Sequence, residues 1–120
     1  NKFIIAPFAE ARLDLTNLMS MTGENRTDRF YFGIGGVLTF KNAKNLAEIL
    51  PQIPQERLLI ETDAPYLTPH PHRGERNEPA FTRLVVEKVA EILSLSVEEV
   101  KAITTQNACR LFGDKIKGEI

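Results

Sequence analysis

The stretch LLIETDAPYL, residues 58–67, ends an apolar run in two carboxylates, Glu61 and Asp63. Residues two apart in a strand share a face, so both side chains would leave the tip of a buried strand on the same side. A buried carboxylate needs a hydrogen-bond donor, a cation or a metal ion. Asp63 and Glu61 therefore suit catalysis or a divalent metal such as Zn, Mn or Mg. The alternatives are a salt bridge to an arginine and a cap on the following loop.

The elements around these carboxylates predict where the strand tip lies. Residues 31–38 read as a strand whose three glycines suit the close approach of another backbone or a ligand. A helix is predicted over about 41–49 and a second strand over 58–63. Two apolar strands joined by one helix predict a βαβ unit in a parallel sheet covered on both faces. Active sites of such folds lie at the carboxyl ends of the strands, where Glu61 and Asp63 stand.

Two amphipathic helices follow the loop. Apolar residues recur at helical spacing over about 80–93, and Pro79 is well placed at the start of that helix. Ser96 and Glu99 have the spacing of a capping box, which predicts that a second helix begins at Val97.

The remaining segments are predicted from weaker signals. The second helix is expected to stop near 104–105, where two threonine hydroxyls would cap a last helix that Gly113 ends. At the other end of the chain, residues 3–6 read as a possible strand and residues 13–19 as a short helix. Residues 1–30 as a whole are left unassigned.

The composition of the chain is that of an ordinary globular domain. It has 120 residues, of which 42% are hydrophobic and 26% charged, with a net charge of -1. Without an excess of basic residues, any contact with nucleic acid would depend on a local patch. The single cysteine, Cys109, excludes an intrachain disulfide and fits a reducing compartment. No apolar run is long enough to span a membrane, so a cytoplasmic location and no membrane partner are expected.

Four blocks of sequence carry a resemblance to a known family. The blocks are YFGIGGVLTFKNAKNL, LLIETDAPYL, RGERNEP and TTQNACRLFG. In this order they resemble the C-terminal part of the TatD family of metal-dependent deoxyribonucleases, over about residues 31–113. The resemblance implies that 31–38 and 58–63 are the seventh and eighth strands of a (β/α)8 barrel. The expected fold is α/β, a C-terminal βαβ unit plus helices of a TIM-type barrel incomplete in this chain, with residues 31–120 as that part.

The resemblance also implies a reaction and residue roles. Family members hydrolyse DNA phosphodiester bonds at a two-metal centre that holds Mg, Mn or Zn. Asp63 matches the aspartate of strand eight, which binds metal and positions or deprotonates the attacking water, and Glu61 matches a catalytic support beside it. Arg76 and Asn77 match a loop that would bind the DNA substrate, with the arginine on phosphate. The residues alone leave open that Asn77 and Glu78 cap the next helix and that Arg76 pairs with the buried strand.

The chain departs from the family pattern in its other metal ligands. Family members use a His-x-His pair on the first strand, an acidic residue within the barrel and two later histidines. The only histidines here, His70 and His72, lie in the loop after the last strand.

Two strands cannot close a barrel, so three interpretations remain. The chain is a fragment of a TatD-type hydrolase, a non-catalytic oligomerising or binding module derived from the barrel end, or a subunit whose site a partner chain completes. All three predict an exposed apolar face and self-association or a partner chain. Related hydrolases that act on amides or esters share the barrel class and are a further alternative.

Overall fold

Three parallel strands form one sheet in the computed structural model, which describes residues 2–5 and 30–113. The strands stand in chain order: β1 (Lys2–Ile5), β2 (Phe30–Ile34) and β3 (Leu58–Ile60). In the registers, Phe3 lies opposite Tyr31 and Phe32 lies opposite Leu58. The predicted strand near residue 3 is confirmed, whereas the short helix predicted for 13–19 lies outside the described residues.

Strands β2 and β3 are both shorter than predicted. β2 ends at Ile34 because the chain turns into a 3-10 helix, Gly36–Thr39. β3 ends at Ile60, although the Glu61 N–H still donates to the Ile34 carbonyl at 3.0 Å. The parallel pairing of the two strands confirms the predicted βαβ unit.

The described residues also form three α-helices: α1 (Lys44–Ile49), α2 (Thr82–Leu93) and α3 (Val97–Phe112). Short 3-10 helices span Leu50–Gln52, Gln55–Arg57 and Pro79–Phe81. α1 begins later than predicted, while α2 confirms the predicted helix, with Pro79 opening the 3-10 helix before it. None of the helices described here has the length and apolar character needed to cross a bilayer.

The last helix confirms one prediction and overturns another. Ser96 Oγ accepts from the Glu99 N–H at 3.0 Å, and Glu99 Oε2 accepts from the Ser96 N–H at 2.7 Å, which completes the predicted capping box. The predicted break at 104–105 is wrong, since α3 is continuous. The Thr104 hydroxyl donates to the Val100 carbonyl one turn back, at 2.9 Å, and therefore caps nothing. Gly113 ends the helix as predicted.

The core lies between the sheet and the two long helices. α2 packs against α3, β3 and the turn Gly36–Thr39, and α3 packs against β3. Most of the buried apolar residues form one cluster: Phe32, Ile34, Leu38, Leu50, Ile53, Leu58, Val85, Val86, Val89, Ala90 and Val100.

Exposed apolar surface is sparse in the described part of the chain. The large apolar side chains that are exposed there are Tyr66, at 73%, and Phe112, at 59%. The extended apolar face expected of a barrel fragment is therefore absent from residues 30–113.

Candidate functional site

Strand β3 delivers Glu61 and Asp63 to the carboxyl end of the sheet. After Ile60 the chain leaves the sheet in a turn, in which the Tyr66 N–H donates to the Asp63 carbonyl at 2.8 Å. The Thr62 hydroxyl accepts from the Ala64 N–H at 3.1 Å and supports the same turn. Both carboxylate residues are half-buried at this edge. The structure thus places them where the sequence analysis predicted, at the tip of a parallel strand.

The two glycines after β2 leave room for the segment that follows β3. A Cβ atom on Gly35 would collide with the Glu61 carboxylate. The φ of Gly35 is -119°, which any residue adopts, so the glycine makes room for the Glu61 carboxylate and is not needed for its backbone conformation. A Cβ on Gly36 would lie 2.5 Å from the Leu67 carbonyl oxygen. The predicted close approach at these glycines is confirmed. The groups that approach are the Leu67 backbone and the carboxylate of Glu61, a candidate site residue.

The electrostatics at this edge favour a cation. Burial raises the pKa of Glu61 above its ordinary value, and the charge of Asp63 raises it further. Among residues 30–113, no lysine, arginine or histidine forms an ion pair with either carboxylate. The alternative in which Arg76 pairs with this strand is therefore wrong within the described structure.

The carboxylates by themselves fit a metal only in part. The described residues contain no group of three or more His, Cys, Asp or Glu side chains that could hold an ion. A catalytic metal usually has three protein ligands, so Glu61 and Asp63 would supply part of a site. His72 does not join them, because its Nδ1 lies 2.8 Å from Glu75 Oε2 and its ring stacks on Phe81.

Asn77 lies in the interior and holds the loop after β3. Its side chain is 4% exposed, and its Nδ2 donates to the Tyr66 carbonyl at 2.7 Å. The Asn77 N–H donates to the Pro65 carbonyl at 3.0 Å, while its Oδ1 is buried without a hydrogen-bond donor among the described residues. These contacts support a positioning role for Asn77, and its predicted contact with substrate stays a prediction.

Arg76 and Glu78 flank that buried residue on the exposed side of the loop. Neither Asn77 nor Glu78 caps a helix through its side chain at Pro79–Phe81 or at α2, so the capping alternative is wrong. Arg76 lines a cavity of about 370 Å³ together with Ala64 and Pro65. Of the two residues predicted to bind substrate, Arg76 is the one that the structure leaves accessible.

Sequence reasoning missed Thr39, which connects the segments after β2 and β3. The Thr39 hydroxyl donates to the Gly36 carbonyl at 2.7 Å and accepts from the His70 N–H at 2.8 Å. The second bond joins residues 31 positions apart in the chain, so no local pattern signals it.

Relatives of known sequence match the part of the chain that holds these residues. A metal-dependent hydrolase of Bacillus subtilis, YabD, is 55% identical over 83 residues, which are 69% of this chain and 32% of the relative. YcfH of Escherichia coli K12, also named a metal-dependent hydrolase, is 47% identical over 69% of this chain and 31% of its own length. TatD of Mycobacterium tuberculosis is 50% identical over 67% of this chain and 30% of its own. The chain spans about a third of the length of these relatives.

Two solved structures share the fold. YJJV, a TatD homologue of Escherichia coli K12, superposes with a TM-score of 0.62 at 25% identity, over 67% of this chain and 31% of that one. A TatD-family hydrolase of Entamoeba histolytica superposes with a TM-score of 0.67 at 19% identity, over 89% of this chain and 40% of that one. Both are TatD-family TIM-barrel proteins, and the α/β class of this chain agrees with them.

The model of the family described as TatD related DNase matches residues 15–113. That range begins well before Tyr31, where the sequence motifs indicated that the resemblance starts, so part of the segment left unassigned is included in the match. The match covers most of the chain and agrees with the relatives and with the fold. The chain belongs to the family of TatD related DNases.

Proposed function

We propose that this chain contributes to a metal-dependent hydrolase that cleaves phosphodiester bonds in DNA. The observation that carries the proposal is the pair of half-buried carboxylates at the end of β3, which have no cationic partner among residues 30–113. Membership of a family of metal-dependent hydrolases supports the reaction class. DNA as the substrate rests on the family description.

Asp63 is the proposed metal ligand. A bound Mg, Mn or Zn ion would lower the pKa of a water molecule and stabilise charge on the phosphoryl oxygens. Asp63 would hold the ion through its carboxylate, and Glu61 would orient the ligand and the water beside it. The remaining ligands would come from polypeptide beyond residues 30–113. The chain spans about a third of its relatives, which agrees with a site shared with further polypeptide or with a partner chain.

Arg76 is the proposed substrate contact in this loop. Its guanidinium matches the geometry of a phosphate, to which it can donate two parallel hydrogen bonds. The bond from Asn77 to the Tyr66 carbonyl would hold the loop so that the arginine faces the strand tips.

The proposal is tested on the full chain by two measurements with the same variants. Calorimetric titration with Mn²⁺ and Zn²⁺ measures metal binding, and cleavage of a labelled single-stranded oligonucleotide measures hydrolysis. Asp63→Asn should abolish metal binding. It should also lower the cleavage rate by more than about 100-fold, because loss of a residue that only orients a metal ligand typically costs about 10- to 100-fold. Glu48→Gln removes a charge from an exposed position of α1 and should change neither quantity.

Each negative result has a distinct meaning. Metal-stimulated cleavage that survives Asp63→Asn would remove this residue from the centre. A folded wild-type chain that neither binds metal nor cleaves DNA would favour either a fragment whose site needs further polypeptide or a non-catalytic binding or oligomerising module.

A further inference from the structure

A second cavity at the carboxyl end of the sheet combines positive charge with an aromatic ring. It has a volume of about 320 Å³ and lies between the segments that follow β2 and β3. No carboxylate lines it, and its described lining consists of Phe40, Lys41, Asn42, His70 and Arg73. We call it the Lys41–Arg73 pocket.

The two cationic side chains of this pocket have no counter-charge in the described structure. The ion pairs there involve His72, Arg83, Lys88 and Lys101, and none involves Lys41 or Arg73. Lysine and arginine side chains carry only hydrogen-bond donors. A pocket lined by both, with no acidic side chain, is complementary to an anion.

The pocket is also held in shape. The guanidinium of Arg73 lies over the ring of Phe40, and its Cζ atom is 3.8 Å from the centroid of that ring. The His70 N–H donates to the Thr39 hydroxyl, so the loop after β3 is tied to the turn after β2. Because each loop carries one of the two cations, this bond helps to keep them on either side of one cavity. Such pre-organisation lowers the entropy lost when a ligand binds.

The pocket lies close to the two carboxylates, which indicates the anion that it can bind. Gly35 lies against Glu61, and Phe40 lines the pocket five residues further on. An extended chain of five residues spans at most about 18 Å. One strand of B-form DNA carries a phosphate about every 3.4 Å along the helix axis, so a strand that runs from the carboxylates toward the pocket would reach it within roughly five nucleotides.

We propose that the Lys41–Arg73 pocket binds a backbone phosphate of the DNA strand. This phosphate lies a few nucleotides from the phosphodiester bond that is cleaved beside Asp63. The identity of this ligand rests on the proposed function. Lys41 supplies a compact ammonium charge and Arg73 a guanidinium already oriented by Phe40. Contacts to phosphate position a strand without reading its sequence, so the pocket would strengthen binding without adding base specificity.

The test measures DNA binding without cleavage. Fluorescence anisotropy of a labelled single-stranded oligonucleotide, in EDTA and over a range of salt concentrations, gives the dependence of affinity on salt for the full chain. Each phosphate contact to a single strand contributes about 0.7 to the slope of log K against log salt. The double variant Lys41→Gln/Arg73→Gln should weaken binding and lower that slope by about 0.7, because the pocket holds one phosphate.

The matched control is Arg83→Gln/Lys101→Gln. It removes the same charge from exposed positions on α2 and α3 and should leave the slope unchanged. The charge-conserving pair Lys41→Arg/Arg73→Lys should keep most of the slope, which separates loss of charge from damage to the fold. Overlapping unfolding curves for all variants complete the comparison.

Three results would overturn the inference: an unchanged slope in the Gln variant, an equal loss in the matched control, or a wild-type chain that does not bind DNA. The proposed function is judged separately, by cleavage. If Asp63→Asn cleaves normally while the pocket variant loses affinity, the pocket stands and the proposed function fails. If the pocket and the proposed function are both correct, the pocket variant should raise KM with little change in kcat. Asp63→Asn should instead lower kcat with little change in KM.

Discussion

The two ends of β3 differ in how their polar groups are satisfied. At the amino end, Asn107 of α3 is 1% exposed, and its Nδ2 donates to the carbonyls of Gln55 at 2.7 Å and Leu58 at 2.8 Å. Arg110, one turn further along α3, donates to the Glu56 carbonyl at 3.2 Å. These bonds join α3 to the Leu58 carbonyl of β3 and to two carbonyls of the 3-10 helix that precedes it.

At the carboxyl end, several polar and charged groups have no hydrogen-bond or ion-pair partner in the described structure. Glu61 and Asp63 form no ion pair in the described structure, and Asn77 Oδ1 is buried without a donor there. Lys41 and Arg73 likewise have no acidic partner among residues 30–113. In parallel α/β folds, catalysis occupies the carboxyl end of the strands, and conserved positions at the other end serve stability. The two ends of β3 fit this pattern, because these groups, which have no partner in the described part of the chain, lie at its carboxyl end.

The largest effect on stability is expected at the amino end. Asn107→Ala would leave two carbonyls without their side-chain donor, at about 1–3 kcal/mol for each that becomes buried and unpaired. Urea unfolding followed by circular dichroism would measure the loss of unfolding free energy. Metal affinity per folded molecule should not change.

The neighbouring exposed residue provides the control for that experiment. Gln106→Ala should change the unfolding free energy by less than about 0.5 kcal/mol. A similar loss in both variants would show that the helix as a whole, and not the bonds of Asn107, sets stability at this end.

The next effect belongs to the carboxyl end and should appear in function with little cost in stability. Gly35→Ala would push aside the carboxylate of Glu61, which is the movable tip of a side chain. We expect metal affinity or cleavage to fall by about 10- to 100-fold, as for other residues that orient a ligand.

A double-mutant cycle sharpens this prediction. In a Glu61→Ala background, Gly35→Ala should have almost no further effect, because the group that it displaces is gone. Additive losses would mean that Gly35 acts through another neighbour.

The smallest effect lies far from both ends of the strand. Ser96→Ala removes the acceptor for the Glu99 N–H at the start of α3 and should cost about 1 kcal/mol of unfolding free energy. Ser96→Asp preserves a capping oxygen and should retain most of the stability. Neither variant should alter metal binding or DNA binding. A change in either affinity would show that the start of α3 affects the carboxyl end of β3.

Local signals predicted most of the elements, and what was missed depends on one competing local bond and on long-range bonds. The capping box at Ser96 and the βαβ unit follow from patterns within a few residues, and both are confirmed. The predicted stop at Thr104 failed because its hydroxyl bonds back into its own helix, a competition that sequence spacing does not resolve. The predicted contact of Asn77 with substrate stays a prediction, but no local pattern indicated that its side chain is buried and donates to the Tyr66 carbonyl, 11 residues away.

The amino-acid sequence alone predicts that an apolar strand of an α/β fold leads into Glu61 and Asp63, because alternation, glycine placement and helix caps are encoded in neighbouring residues. Which groups surround that strand depends on the packing of the whole chain. The bond from Asn107 to Leu58 spans 49 residues, and the Lys41–Arg73 pocket draws on two separate loops. Such contacts form when distant segments pack around one core, and each depends on the positions of many residues at once.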